Sequence, residues 1–139
     1  MPLDLESLSK SLNGLHRSLL VVEQQEVITS DADLLFTLRS GVIQNFEVAY
    51  EQCWKMIKRW LEENMGNSYV EGVTRRELFR LAAEHHLIFD VEKWMEYHYA
   101  RNNTSHIYDA EIADEVYSVA KKFSNDASKL LTTLVAKND

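Results

Sequence analysis

Leu5, Leu8, Leu12, Leu15, Leu19 and Val22 recur at alternating separations of three and four residues, the spacing that lines up one face of an α-helix. They predict a helix from about residue 4 to residue 24 with a single apolar stripe. Gly14 lies inside it and weakens it by up to about 1 kcal/mol relative to alanine. Ser30 or Asp31 then offers a short side-chain oxygen to the free amides of a new first turn. From there Leu35, Leu38, Val42, Phe46, Ala49, Cys53, Met56 (or Ile57) and Trp60 keep the same rhythm to Gly66. A helix of about 35 residues spans roughly 50 Å, long enough to bend or to reach a partner. Gly41 is its expected bend or close-packing point, and Gly66 its expected C-terminal stop.

Residues 67–73, with Gly72, read as a short loop. Thr74-Arg75-Arg76-Glu77 fits a capping box and opens a helix carrying Leu78, Leu81 and Ala82 that fades near His86. Asp90 is the next expected N-cap, before a helix with Val91, Trp94, Met95 and His98 facing inward. The last helix, from 107 or 110 to 136, carries Ile112, Val116, Val119, Phe123, Ala127, Leu130 and Leu134. No repeat, low-complexity tract or linker interrupts the pattern. The economical architecture is all-α: one domain over 1–139, an antiparallel up-and-down bundle of four to five helices.

Composition agrees. The 139 residues are 45% hydrophobic and 27% charged, ordinary for one globular domain. Pro2 is the only proline and there are four glycines, too little punctuation for a many-stranded sheet. The net charge of −7 argues against nonspecific coating of nucleic acid, whose affinity comes largely from Lys and Arg, but not against a small basic site for one phosphodiester. Cys53, the single cysteine, has no disulfide partner and reads as a small core residue. The first residues lack a signal-peptide pattern, and no apolar run approaches the roughly 20 residues that span a bilayer. A cytoplasmic, membrane-free protein is expected.

Candidate chemistry concentrates in Arg101-Asn102-Asn103-Thr104-Ser105-His106-Ile107-Tyr108. Its simplest account is a helix junction, with the asparagines closing one helix and Thr104 or Ser105 capping the next. That account leaves Arg, His and Tyr unexplained. A guanidinium matches phosphate oxygens, and an imidazole moves protons near neutral pH. Cleaving RNA without a metal needs a base for the 2′-hydroxyl, an acid for the leaving oxygen and a cation for the phosphorane. On a continuous helix Arg101 and His106 stand about 140° apart. Either the helix breaks between them or a second copy completes the site.

Arg101, four intervening residues and His106, with polar Asn102 directly after the Arg, resemble the R-x4-6-H motif of HEPN domains. Ile43-Gln44-Asn45-Phe46-Glu47, Trp54-Lys55 and the Leu61 region resemble the long second helix of the nucleotidyltransferase-associated subfamily. Arg101 to Tyr108 also resembles the longer R-x4-H-x-Y form of HepT-like toxins paired with minimal nucleotidyltransferases. The likeness covers essentially the whole chain. It implies a dimerising helical bundle and a metal-independent endoribonuclease, with Arg101 and His106 as catalytic positions, Asn102 in support and no cofactor. It further implies a cognate nucleotidyltransferase that transfers AMP from ATP onto Tyr108, where the added charge and bulk would block RNA. The same subfamily includes proteins described as nucleotide- or substrate-binding subunits of two-component nucleotidyltransferases. This chain has no Gly-Ser turn and paired aspartates of its own, so transferase chemistry would need a second protein.

Elsewhere the patterns read more plainly. Glu84-His85-His86 lacks a spaced third metal ligand and reads as a solvated helix end; no metal site is expected. His98, one turn before Arg101, either lines the same cleft or packs beside Trp94. Glu47 faces the cleft or solvent. Arg75, Arg76 and Arg80 form a local basic patch that reads by default as a solvated helix face, the alternative being a patch for RNA or an acidic partner. Trp54 and Trp60 read as core or dimer contacts.

Overall fold

Four of the five helices begin on a side-chain cap or at a sequence break that the pattern marks. The computed structural model describes residues 2–138, and its helices are α1 (Glu6–Ile28), α2 (Ala32–Met65), α3 (Arg75–Glu84), α4 (Val91–Asn102) and α5 (Ala110–Ala136). Asp31 accepts from the amides of Asp33 and Leu34, Thr74 from Glu77, Asp90 from Lys93, and Asp109 from Glu111 and Ile112. Each contact satisfies amides that have no partner within the helix. Gly66 follows α2 at φ +96° and Gly72 turns the next loop at φ +72°, backbone that favours glycine. His86 ends α3 in the same left-handed region at φ +61°, with Leu87 N–H donating to Ala82 O at 2.9 Å.

The apolar stripes meet along one continuous core. Leu8, Leu12, Leu15, Leu19 and Val22 of α1 are buried against Val42, Phe46, Ala49, Cys53 and Ile57 of α2. Phe123 of α5 sits among Phe46, Trp94 and Tyr97, with ring centroids 5.1–5.8 Å away in edge-on arrangements, the geometry aromatic pairs prefer. The Asn138 side chain accepts from Leu3 N–H at 2.7 Å and donates to Leu3 O at 2.9 Å, so α5 ends where α1 begins. Arg39 near the start of α2 reaches Glu26 of α1 at 2.7 Å and Asp114 of α5 at 4.0 Å. The directions therefore alternate through α1, α2, α4 and α5, with short α3 bridging α2 to α4. This is the expected all-α up-and-down bundle, without a strand among the described residues, and no helix there is long and apolar enough to cross a membrane.

Several local expectations shift. The first helix runs on to Ile28, a last turn that the apolar stripe does not mark because Val27 and Ile28 are exposed there. Gly41 is exposed within unbroken α2, and a Cβ there would meet nothing within 4 Å, so close packing does not explain it. Asp109, not Thr104 or Ser105, caps the last helix. The His85 ring is half-buried, its Nε2 3.1 Å from the Tyr69 hydroxyl and its ring beside Trp60; it is not a solvated helix end, whereas His86 is exposed.

Candidate functional site

α2 presents two kinds of residue on neighbouring positions. Phe46, Ala49, Tyr50 and Cys53 point into the core, while Glu47, Glu51 and Trp54 form an adjacent, half-buried row. The last turn of α4 docks against that row. Arg101 Nη1 lies 3.2 Å from Glu47 Oε2, and Arg101 Nε donates to Glu51 Oε1 at 3.1 Å. Glu47 and Glu51 are four residues apart, hence stacked on one face of the helix. The two carboxylates hold the guanidinium at two of its nitrogens, and its remaining amino hydrogens have no partner among the described residues. The Thr104 hydroxyl stands 3.1 Å from Glu47 Oε2 and 2.9 Å from the Arg101 carbonyl oxygen, tying the next turn to the same carboxylate. Glu47 thus faces Arg101, and its neighbour Glu51 shares the contact.

Beyond Asn102 the α-helix gives way to a 3-10 turn over Asn103–His106. The helix therefore breaks between Arg101 and His106, one residue later than the Arg itself. The His106 ring is exposed, stands edge-on to Tyr108 with centroids 6.1 Å apart, and makes no side-chain hydrogen bond among the described residues. Tyr108 is 83% exposed. No hydrogen bond or ion pair joins Arg101 to His106 within the described chain. The structure brings Arg101, Asn102, His98 and Glu47 together and leaves His106 and Tyr108 open to solvent on the following turn.

A second set of contacts runs behind Arg101. His98 Nδ1 is 2.9 Å from the Tyr50 hydroxyl oxygen, and His98 Nε2 is 3.5 Å from the Asn102 side-chain amide. Arg75 Nη1 donates to the same Tyr50 oxygen at 3.1 Å, and its guanidinium lies over the Trp54 ring at 3.8 Å from the centroid. Trp54 Nε1 in turn donates to Glu51 Oε2 at 2.9 Å. Burial is the main reason the His98 pKa falls below its ordinary value, and the positive charge of Arg75 adds to it. Glu51 opposes that shift and Arg101 reinforces it. Burial also pushes the Tyr50 phenol up, against the pull of Arg75.

The three arginines read as one basic face separate. Arg76 is paired with Glu92 and Arg80 with Glu77, whereas Arg75 turns inward onto Trp54 and Tyr50. Two guanidiniums, Arg75 and Arg101, therefore share the cluster with two carboxylates, Glu47 and Glu51, which balances its charge. Arg75 was read only as part of a basic face, and Glu51 and Tyr50 were not marked by the sequence motifs. The signal for those two was present as Glu47-Tyr50-Glu51-Trp54, polar and aromatic residues at helical spacing beside the apolar stripe. Among the described residues no group of three or more His, Cys, Asp or Glu converges as a metal site.

Three comparisons place the chain among known proteins. A family model described as nucleotidyltransferase substrate binding protein like matches residues 3–136. A Haemophilus influenzae protein named probable ribonuclease HepT is 36% identical over 137 residues, which cover 92% of this chain and 94% of that one. The solved structure of HI0074, also from Haemophilus influenzae and described as revealing the fold of a substrate binding domain of a nucleotidyltransferase, superposes with a TM-score of 0.86. It is 31% identical, covering 94% of this chain and 98% of that one. A Thermus thermophilus structure shares the fold at a TM-score of 0.64 and 22% identity, covering 86% of this chain and 98% of its own. With a family match over residues 3–136 and a relative 36% identical over nearly its full length, the chain belongs to the nucleotidyltransferase substrate binding protein like family.

Proposed function

We propose that this protein is a metal-independent endoribonuclease, the toxin of a toxin–antitoxin pair silenced by a cognate nucleotidyltransferase. The observation that carries it is Arg101, immobilised by Glu47 and Glu51 with amino hydrogens still unused, one turn from the exposed imidazole of His106. A guanidinium held in advance loses little freedom when a phosphate arrives, and its charge stabilises the phosphorane more than the ground-state diester. His106, exposed and without a competing hydrogen bond, exchanges protons with the 2′-hydroxyl and the leaving 5′-oxygen. Asn102 supports the phosphate beside Arg101. A homodimer would set a second Arg–His pair across the cleft, supplying base and acid from different subunits.

Tyr108 is the proposed acceptor of AMP. Its phenol is exposed and its ring lies against His106, so an adenylate there would crowd the proton-transfer group and repel RNA. The name of the Haemophilus influenzae relative supports the ribonuclease assignment. The nuclease is tested by incubating labelled RNA with purified protein in EDTA. Cleavage that falls by orders of magnitude in His106→Ala and Arg101→Ala is expected; equal degradation by wild type and His106→Ala would sink it.

The family description favours a second reading, a noncatalytic subunit whose Arg–His cleft holds a nucleotide for a separate nucleotidyltransferase. It requires nucleotide binding by calorimetry that weakens in Arg101→Ala, with no RNA turnover in the wild type.

A further inference from the structure

Tyr50 is fully buried, so its hydroxyl must find its partners inside the protein. Its oxygen has two neighbours among the described residues, Arg75 Nη1 at 3.1 Å and His98 Nδ1 at 2.9 Å. A guanidinium carries donors only, so Tyr50 accepts from Arg75. The Tyr50 proton then has one acceptor within reach, His98 Nδ1. If Nδ1 carried the imidazole proton instead, the Tyr50 proton would face no acceptor, a cost of about 1–3 kcal/mol for a buried group. The network therefore holds Nδ1 as an acceptor and places the ring proton on Nε2.

Nε2 points to the Asn102 side chain, 3.5 Å from Nδ2. Two N–H groups do not bond to each other. Amide oxygen and nitrogen exchange places by a half-turn of the side chain, and that half-turn sets Oδ1 to accept from Nε2–H. The NH2 group is then directed away from His98, on an exposed residue next to Arg101. We infer that Arg75, Tyr50 and His98 form a one-way hydrogen-bond relay that fixes the Asn102 amide with its NH2 group outward, as a donor to a phosphate oxygen held by Arg101.

Each member has a distinct part. Arg75 sets the direction of the relay, and its seat on the Trp54 ring holds its donor toward Tyr50. Tyr50 carries the direction through the core from α3 to α4. His98 is a positioning residue: it touches no substrate and acts through Asn102. The groups that face its ring are Tyr50 and Glu51 from α2, Arg75 from α3, and Tyr99, Arg101 and Asn102 from α4. Burial, and then two cations against one carboxylate, disfavour the charged ring, and only a neutral ring leaves Nδ1 free to accept from Tyr50. The role of Asn102 toward phosphate rests on the ribonuclease proposed above, whereas the relay itself does not.

Nitrogen-15 NMR of histidine-labelled protein tests the relay without any activity, with the His98 signals assigned by their loss in His98→Gln. The expected wild-type spectrum at pH 7 shows His98 neutral and protonated on Nε2. Tyr50→Phe should lose that single tautomer; Arg75→Met, which keeps the stem on Trp54, should lose it too and serves if Tyr50→Phe folds poorly. A His98 protonated on Nδ1 or on both nitrogens at pH 7, or a tautomer unchanged in both variants, overturns the relay. Asn102→Asp tests its output, because a carboxylate still accepts from Nε2–H but offers the cleft an acceptor in place of a donor. RNA cleavage should fall roughly a hundredfold with the unfolding midpoint little changed; full activity in Asn102→Asp overturns the donor role. If the wild type cleaves no RNA, the ribonuclease fails by itself and the His98 spectrum still decides the relay.

Discussion

Arg101 and Glu51 meet with Nε 3.1 Å from Oε1 although they stand 50 residues apart in the chain. Glu51 is itself held by the Trp54 indole N–H through its other oxygen, so both carboxylate oxygens are fixed before any ligand arrives. Glu51→Ala should therefore act on catalysis more than on stability. The pair is about one-third exposed, which limits its worth to roughly 0.5–1 kcal/mol, whereas a misplaced guanidinium costs on the order of tenfold to a hundredfold in rate. Urea denaturation and single-turnover RNA cleavage on the same preparation separate the two. A large stability loss with a proportional activity loss would show that Glu51 serves the fold alone.

Tyr108 stands 83% exposed, accessible to a second protein without local unfolding. After incubation with ATP and the cognate nucleotidyltransferase, the intact mass should rise by an adenylate. Tyr108→Phe should show no gain. An equal gain in Tyr108→Phe would move the acceptor elsewhere.

The lowered pKa of His98 makes stability depend on pH. The unfolded ring takes up a proton near 6.5, and the folded ring does so only at lower pH. Between those values the unfolded chain binds more protons, so stability rises with pH. The His98 contribution is intact above about pH 6.5 and is lost as pH falls toward the folded pKa. Unfolding free energies should drop from pH 7 to pH 5 in the wild type, and the drop should be shallower in His98→Gln. An identical slope in both would remove His98 from the account.

Asp109 caps α5 directly after Tyr108. Asp109→Ala should cost about 1 kcal/mol and loosen the turn that carries His106 and Tyr108. Hydrogen exchange should quicken for the amides of Glu111 and Ile112, which the cap holds, while the Phe46–Phe123 core stays protected. Unchanged exchange at those two amides would show the cap to be dispensable.

The parts of this molecule that a sequence displays are the local ones. Stripes such as Leu8-Leu12-Leu15 and caps such as Thr74 and Asp90 depend on residues within a turn or two, and they emerged where the pattern put them. Arg101, Asn102, His106 and Tyr108 were visible because they lie together in one short motif. Glu51 and Tyr50 were not, and Arg75 was legible only as one of three basic residues, since their partners lie 50, 48 and 25 residues away and no local rule couples them. Arg75 shows the difficulty best: it sits between two residues of like kind or polarity, and only packing against Trp54 distinguishes it from Arg76, which pairs at the surface.

α2 holds the core and the Arg101 contact in fixed phase. Phe46 and Tyr50 face inward, Glu47 and Glu51 face Arg101, and the helix runs 34 residues without interruption. Adding or deleting one residue between 46 and 51 would turn everything beyond it by about 100°, and no loop lies within the helix to absorb the change. Length variation is therefore tolerable only in the connections, such as 66–74 or 85–90. Diversification around Arg101 must come by exchange of side chains along a backbone of constant count.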